Sequence, residues 1–171
     1  MLQDDTARLR SILARLPTPR LALEIGCGGR PGSDASTGES WIDFDLDLSA
    51  LRSARRRFPS NRYLQANGCW LPFATHFDLI LIRHPDLEQY PDSWQAILES
   101  VPAILNPSGS LVVTVYSFSE LEHIRRWLKY GPLRCELPPE RELDAPGLAG
   151  RDRFVIYGQL NSATEDFSLS I

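Results

Sequence analysis

The chain has 171 residues, of which 43% are hydrophobic and 23% charged, with a formal net charge of −4 at neutral pH. That length and balance describe one ordinary globular domain with room for a substantial core. They argue against a dedicated nucleic-acid binder, which is usually basic, and no apolar run approaches the roughly 20 residues needed to cross a bilayer.

The opening MLQDDTARLR carries acids first and no continuous apolar stretch, unlike a secretory leader. Within it, Leu9, Ile12, Leu13 and Leu16 recur at helical spacing, predicting an amphipathic helix over 5–16 that Pro17 and Pro19 stop. Leu21 to Ile25 reads as a short strand buried on both faces, the pattern of a parallel sheet. It ends in Gly26, Cys27, Gly28 and Gly29. The following GRPGSDASTGES has no apolar face, and Pro31, Gly32 and Gly38 oppose a helix, so a loop or at most one turn is expected.

A second strand follows at Trp41 to Asp45, then a helix over 48–58 with Leu48, Leu51, Ala54 and Phe58 turned inward. Tyr63 to Ala66 is a third strand and Phe77 to Ile82 a fourth, apolar apart from Asp78. Trp94, Ile97, Leu98, Val101, Ile104 and Leu105 hold one helical face, with Asp92 and Gln95 in capping-box spacing before it. Pro102 falls inside that pattern and predicts a kink or loosening. Asn106 to Gly109 should close the helix, Leu111 to Tyr116 form a fifth strand, and Ser117 with Glu120 cap a helix carrying Leu121, Ile124, Trp127 and Leu128. Leu133 to Leu137 and Phe154 to Leu160 read as two strands joined by a long Pro- and Gly-rich loop. The expected unit is one domain over 1–162, with 1–19 as an N-terminal helix and linker and 163–171 as a frayed tail.

Strands alternating with helices imply βαβ units, right-handed crossovers and a mostly parallel α/β sheet, closed by an antiparallel edge pair. Ligands of such sheets sit beyond the carboxyl ends of the strands, which directs attention to the residues just after each strand. Glycines there permit a tight turn with positive φ and close approach of the backbone to a ligand; an ordinary glycine turn is the plainer alternative. Glu24 adds weight, because an acid inside a buried strand needs a partner. Asp45 lies about twenty residues past the first glycine, the distance at which a carboxylate meets the ribose hydroxyls of a nucleotide-like ligand. Asp47 is placed to cap the next helix. Arg52, Arg55, Arg56, Arg57 and Arg62 read as a solvated helix face, with an anion-facing patch as the alternative. The three cysteines, Cys27, Cys69 and Cys135, are widely spaced without a CxxC pair. No disulfide framework and no metal site is expected, and a reducing, cytoplasmic setting fits.

At this point LALEIGCGG, WIDFDLDLSALRSAR, QANGCWLPF, FDLILI and NPSGSLVVT, taken in order, resemble successive motifs of the class I S-adenosylmethionine-dependent methyltransferases. The resemblance runs from about residue 20 to 116. It implies a Rossmann-like three-layer sandwich with a seven-stranded sheet in the order 3-2-1-4-5-7-6, and S-adenosylmethionine as cofactor. By the same resemblance Glu24 would anchor the methionine amino end, and the backbone of Gly26, Cys27 and Gly28 would line the methionine and ribose. Asp45 would bind the ribose hydroxyls and Leu46 the adenine face. Asn67, where the family commonly has an acid, would meet the adenine amino group, Gly68 would offer a backbone N–H, and Leu71, Pro72 and Phe73 would wall the pocket. Arg83 and His84 fall where the family faces the methyl group and substrate, with Asp86 placed to orient His84, the candidate base. His76 and His123 read as surface residues. The missing helix after the glycines resembles a subgroup in which a polar loop leads directly into a W-I-x-x-D-x-D strand.

The sequence lacks the Asn-Pro-Pro-Tyr/Phe signature of enzymes that methylate exocyclic amines, IRHP standing in its place, and it shows no appended substrate domain. A small-molecule acceptor is therefore expected. The alternatives are an RNA or protein methyltransferase using the 52–57 arginines, and a non-catalytic or partner-dependent binding protein of the same fold.

Overall fold

The computed structural model describes residues 5–32, 40–136 and 153–161. The predicted bodies of the 29–40 and 138–152 loops and the C-terminal tail lie largely outside those residues.

Helix α1 (Asp5–Leu13) precedes β1 (Ala22–Ile25), β2 (Trp41–Asp45), α2 (Leu48–Arg57), β3 (Arg62–Gln65) and β4 (Phe77–Arg83). Helix α3 (Pro91–Ser100), β5 (Leu105–Val115), α4 (Phe118–Leu128), β6 (Leu133–Glu136) and β7 (Phe154–Leu160) complete the chain. The seven strands form one sheet in the order β3-β2-β1-β4-β5-β7-β6. The first five are parallel, whereas β7 runs antiparallel to both β5 and β6. The topology implied by the motif order is thus the one observed.

The apolar strands explain the layering. Alternate residues of β1, β4 and β5 face opposite sides, and both sides are covered. Leu23, Ile25, Phe44, Ile80, Ile82 and Val113 pack with Ile97, Leu98, Leu121 and Ile124 of α3 and α4. On the other face Ala22, Trp41, Leu79, Leu81 and Val112 pack with Leu9 and Ile12 of α1.

Several boundaries differ from the sequence expectation. Helix α1 ends at Leu13, and the chain tightens through Arg15 N–H to Ile12 O and Leu16 N–H to Leu13 O, both three-residue bonds. Tyr90, not Asp92, stands at the N-cap of α3, with Pro91 in the first turn. The Asp92–Gln95 capping box is absent, and the Gln95 amide donates to Glu99 Oε1 at 2.8 Å instead. The loosening expected at Pro102 is a 3₁₀ turn over Val101–Ile104. Strand β5 starts at Leu105, so Asn106–Gly109 belongs to the strand, with a register shift against β4 between Phe77 and Leu79. Leu48, expected inward, is 41% exposed at the start of α2. The Ser117–Glu120 capping box forms as predicted. No described helix is long and apolar enough to cross a membrane.

Asp78, the one acid of β4, fastens the linker after α1 to the sheet. Its Oδ2 accepts from the Arg20 and Leu21 N–H groups at 2.9 and 3.1 Å, and its Oδ1 accepts from the Asn106 amide at 2.6 Å.

Candidate functional site

The carboxyl ends of β1 and β2 lie side by side, because the two strands pair in parallel register from Ala22↔Trp41 to Ile25↔Phe44. Immediately beyond, the chain turns at Gly26 (φ +74°) and Gly28 (φ +58°), both in the left-handed region that favours glycine. The Gly26 and Cys27 N–H groups both donate to Phe44 O, at 2.8 and 3.1 Å. The Gly28 N–H donates to Asp45 Oδ2 at 2.7 Å, and the other oxygen of that carboxylate accepts from the Asp47 N–H at 2.8 Å. The turn and the acid are therefore one structure. The N–H groups of Gly26, Cys27 and Gly28 are thus committed within the protein. Asp47 caps α2 as expected, accepting from the Ser49 N–H at 2.7 Å.

Glu24 is only 1% exposed. Its Oε2 accepts from the Gly32 N–H at 2.5 Å, fixing the chain that leaves the glycine turn. Gly32 itself is wedged in: a Cβ there would stand 2.8 Å from Leu9, 2.9 Å from Leu81 and 3.1 Å from Arg83 Cδ. Arg83 Nη1 donates to Arg30 O at 3.4 Å. Glu24 and Arg83, 59 positions apart in sequence, thus converge on residues 30–32.

Asp43, fully buried, is the register neighbour of both Glu24 and Tyr63, and its Oδ2 accepts from the Asn61 amide at 2.9 Å. Burial, and then the charges of Glu24, Asp43 and Asp45, push the Cys27 thiol far up, so it stays protonated and is no nucleophile. The Tyr63 hydroxyl donates to Phe58 O at 2.9 Å, and burial followed by the Asp43 charge pushes it up to about 12. Of the two acids buried among the described residues, Glu24 is marked by the sequence and Asp43 is not. The available signal for Asp43 was its apolar neighbours, since a strand acid flanked by Ile42 and Phe44 faces the opposite side from them.

After β3, Asn67 Oδ1 accepts from the Cys69 N–H at 2.9 Å and its carbonyl accepts from the Trp70 N–H at 3.0 Å. Its side chain closes its own turn, with one lone pair and the NH₂ remaining. Gly68 is buried: a Cβ would stand 2.8 Å from Ile97 Cδ1 and 3.6 Å from Ile25. Leu46 is 65% exposed beside this turn's neighbour strand. Phe73 is half-buried. Its ring packs on Phe44 at 6.0 Å and on Phe77 at 5.0 Å, at the margin of the core.

At the end of β4, His84 holds φ +49°, the one positive φ outside glycine among the described residues, although Pro85 follows it. Its N–H donates to Thr114 O at 2.9 Å, which ties the turn to β5. Asp86 does not serve as its orienting partner in the way expected: the carboxylate accepts from the Gln89 N–H at 2.9 Å. Glu120 Oε2 accepts from both the Tyr116 and Ser117 N–H groups, at 2.9 and 2.8 Å, fixing the exit of β5. His76 and His123 are exposed, and Arg52, Arg55, Arg56, Arg57 and Arg62 are exposed along α2 and the β3 edge.

No known protein-family model matches the sequence. Solved structures do match in shape. A glycopeptide N-methyltransferase complexed with S-adenosyl-L-homocysteine superposes with TM-score 0.75 at 16% identity, covering 93% of this chain and 91% of that one. An amino pentose methyltransferase from Micromonospora echinaspora, with S-adenosylmethionine bound, gives 0.73 at 14% identity, over 92% and 91%. A TehB-like S-adenosylmethionine-dependent methyltransferase from Corynebacterium glutamicum gives 0.63 at 23% identity, over 91% and 87%. The fold of this chain is that of the class I S-adenosylmethionine-dependent methyltransferases.

Proposed function

We propose that this chain transfers a methyl group from S-adenosylmethionine to a small-molecule acceptor by in-line displacement. The observation that carries the reading is the hydrogen bond between Gly28 and Asp45, which joins the glycine turn and the acid at neighbouring strand tips. The residues present fit the cofactor. The side of Gly28 where a Cβ would stand is open, with nothing within 4 Å. The Asp45 carboxylate uses one oxygen on Gly28 and one on Asp47, and a carboxylate has about four lone-pair sites, so two remain for a pair of ribose hydroxyls.

When bound, S-adenosylmethionine supplies both the electrophilic methyl group and the leaving group. The protein's part is to bind, orient and exclude water. In this reading Asp45 grips the sugar, the exposed Leu46 side chain covers the adenine, and the Asn67 amide and Gly68 border the same ring. Glu24 acts indirectly, holding the 30–32 segment that passes the methionine end together with Arg83. His84, at the turn after β4, is the residue that takes the acceptor's proton once its ring, whose nitrogens are buried, is uncovered toward the acceptor.

Six of the large apolar side chains exposed among the described residues, Leu46, Leu48, Trp70, Tyr90, Tyr116 and Phe118, lie in segments that follow the carboxyl ends of β2 to β5. Exposed apolar surface gathered at one end of a sheet suits an acceptor with an apolar face. Arg55, Arg56 and Arg57 occupy the last turn of α2, where the helix dipole favours cations without any polyanion. That supports a small-molecule acceptor over RNA.

Calorimetric titration with S-adenosylhomocysteine tests the reading. Binding that is lost in Asp45→Ala supports it; no binding to the wild-type protein at millimolar ligand refutes it.

A further inference from the structure

Helix α3 touches both turns of the proposed cofactor site. The tip of the Trp94 indole stands where a Cβ of Gly26 would be, with Cη2 at 2.8 Å and Cζ2 at 3.4 Å from that position. One helical turn on, Ile97 Cδ1 stands 2.8 Å from the Cβ position of Gly68. The Cys69 thiol, next to Gly68, reaches Ser93 O at 3.8 Å. Residues three apart share a helix face, so one rigid element bears on the turn after β1 and the turn after β3 at once.

We propose that Trp94 is a positioning residue for the cofactor. Together with Ile97 it sets the spacing of the Gly26 and Gly68 turns, which hold different parts of the same ligand. The inference rests on the cofactor reading above.

The physical argument has three parts. The Gly26 turn is fixed toward β2 by its bonds to Phe44 O and Asp45, but those bonds run along the sheet and do not support the turn from the α3 side. On that side Trp94 is the atom-level contact, and a bulky aromatic packed against a glycine leaves the turn no room to move toward the helix. Removing the ring opens a cavity of side-chain size directly under Gly26, into which a turn held at φ +74° can relax. The relaxation moves the Gly28 N–H, and with it the Asp45 carboxylate that must meet the ribose. Gly26 and Gly68 are therefore glycine partly because α3 comes so close. Their Cβ positions are already occupied by the helix's own side chains.

The same helix begins from the turn that carries His84, since the Tyr90 N–H donates to Asp86 O and the Trp94 N–H to Tyr90 O. Trp94 is thus tied through the backbone to the proposed acceptor turn while its ring meets the cofactor turn, without a place in the chemistry itself.

The experiment compares S-adenosylhomocysteine affinity by calorimetry in the wild type, Trp94→Phe, Trp94→Ala and Leu121→Ala. Leu121 is buried on α4, is not among the atoms that meet the Cβ positions of Gly26 or Gly68, and serves as the stability control. Trp94→Ala is expected to weaken binding by about tenfold or more, Trp94→Phe by less, and Leu121→Ala by under about threefold despite its own loss of melting temperature. Ligand should also change the tryptophan fluorescence of the wild type, and that change should be smaller in Trp94→Phe, where Trp41, Trp70 and Trp127 remain, while calorimetry still detects binding. Should Trp94→Ala fail to fold, the Trp94→Phe affinity and fluorescence decide alone. Equal affinity in wild type and both Trp94 variants, or an equal loss in Leu121→Ala, overturns the proposal. A wild type that does not bind the ligand at all refutes the cofactor reading itself, and this role for Trp94 falls with it.

Discussion

The Asp45 carboxylate accepts a hydrogen bond from the Gly28 N–H at 2.7 Å, so the acid that ends β2 and the glycine turn after β1 support each other before any ligand arrives. Asp45→Ala should therefore do two things. It should weaken cofactor-product binding by about 1–3 kcal/mol, the scale for hydrogen bonds to a charged group, and lower stability by about 1 kcal/mol through the loosened Gly28 turn. Asp45→Asn keeps one acceptor oxygen and should lose less of each. Calorimetry and thermal melting read the two effects, and unchanged affinity in Asp45→Ala removes Asp45 from the site.

Gly26 and Gly28 share a positive φ but differ in surroundings. Gly28→Ala meets open space and should cost only the left-handed backbone penalty, about 1–2 kcal/mol. Gly26→Ala meets the same penalty and drives a Cβ into Trp94 at 2.8 Å, so it should cost about 1–3 kcal/mol more. Denaturant midpoints rank the pair; equal losses contradict the contact.

His84 combines a candidate chemical role with a backbone that most residues resist. Asn tolerates the left-handed region, so His84→Asn should keep the fold within about 0.5 kcal/mol while lowering turnover by about a hundredfold. Cofactor affinity should not change. Activity retained in this variant reduces His84 to a turn residue.

Asp78 predicts an acid-dependent loss of stability. Burial alone would raise its pKa, but hydrogen bonds from Asn106, Leu21 and Arg20, with the Arg20 charge, hold it below the ordinary 3.8. The folded protein thus releases this proton more readily than the unfolded chain. The contribution is complete above pH 3.8 and disappears as pH falls through the lower folded value. Asp78→Asn should destabilise by about 1–3 kcal/mol at neutral pH. Urea titrations should show the gap between variant and wild type narrowing below pH 3.8. A gap that widens in acid contradicts the assignment.

The elements were legible where a residue's environment follows from its immediate neighbours. The apolar run Leu79–Ile82 reads as a doubly covered strand from composition alone, and the Ser117–Glu120 cap needs only four residues of context. The Asp92–Gln95 pair had the same spacing and failed, because Pro91 started the helix earlier and placed Asp92 inside its first turn. Strand β5 was drawn too short for a related reason. Asn106 to Gly109 carries every local mark of a turn, yet pairing with β4 and the Asn106 bond to Asp78 hold its ends in the sheet.

The site divides in the same way. Sequence by itself determined the alternation of strands and helices, the glycine turn at a strand end and the spacing that puts Asp45 at the tip of the next strand, since each is a matter of pattern along the chain; the strand order came with the family resemblance. Tertiary structure alone decided that Asp45 reaches Gly28, that Glu24 spends its carboxylate on Gly32 and that Trp94 fills the side of Gly26. Those contacts join residues 8 to 68 positions apart, and hydrogen bonds and close packing act over a few ångströms of space, whatever the distance along the chain.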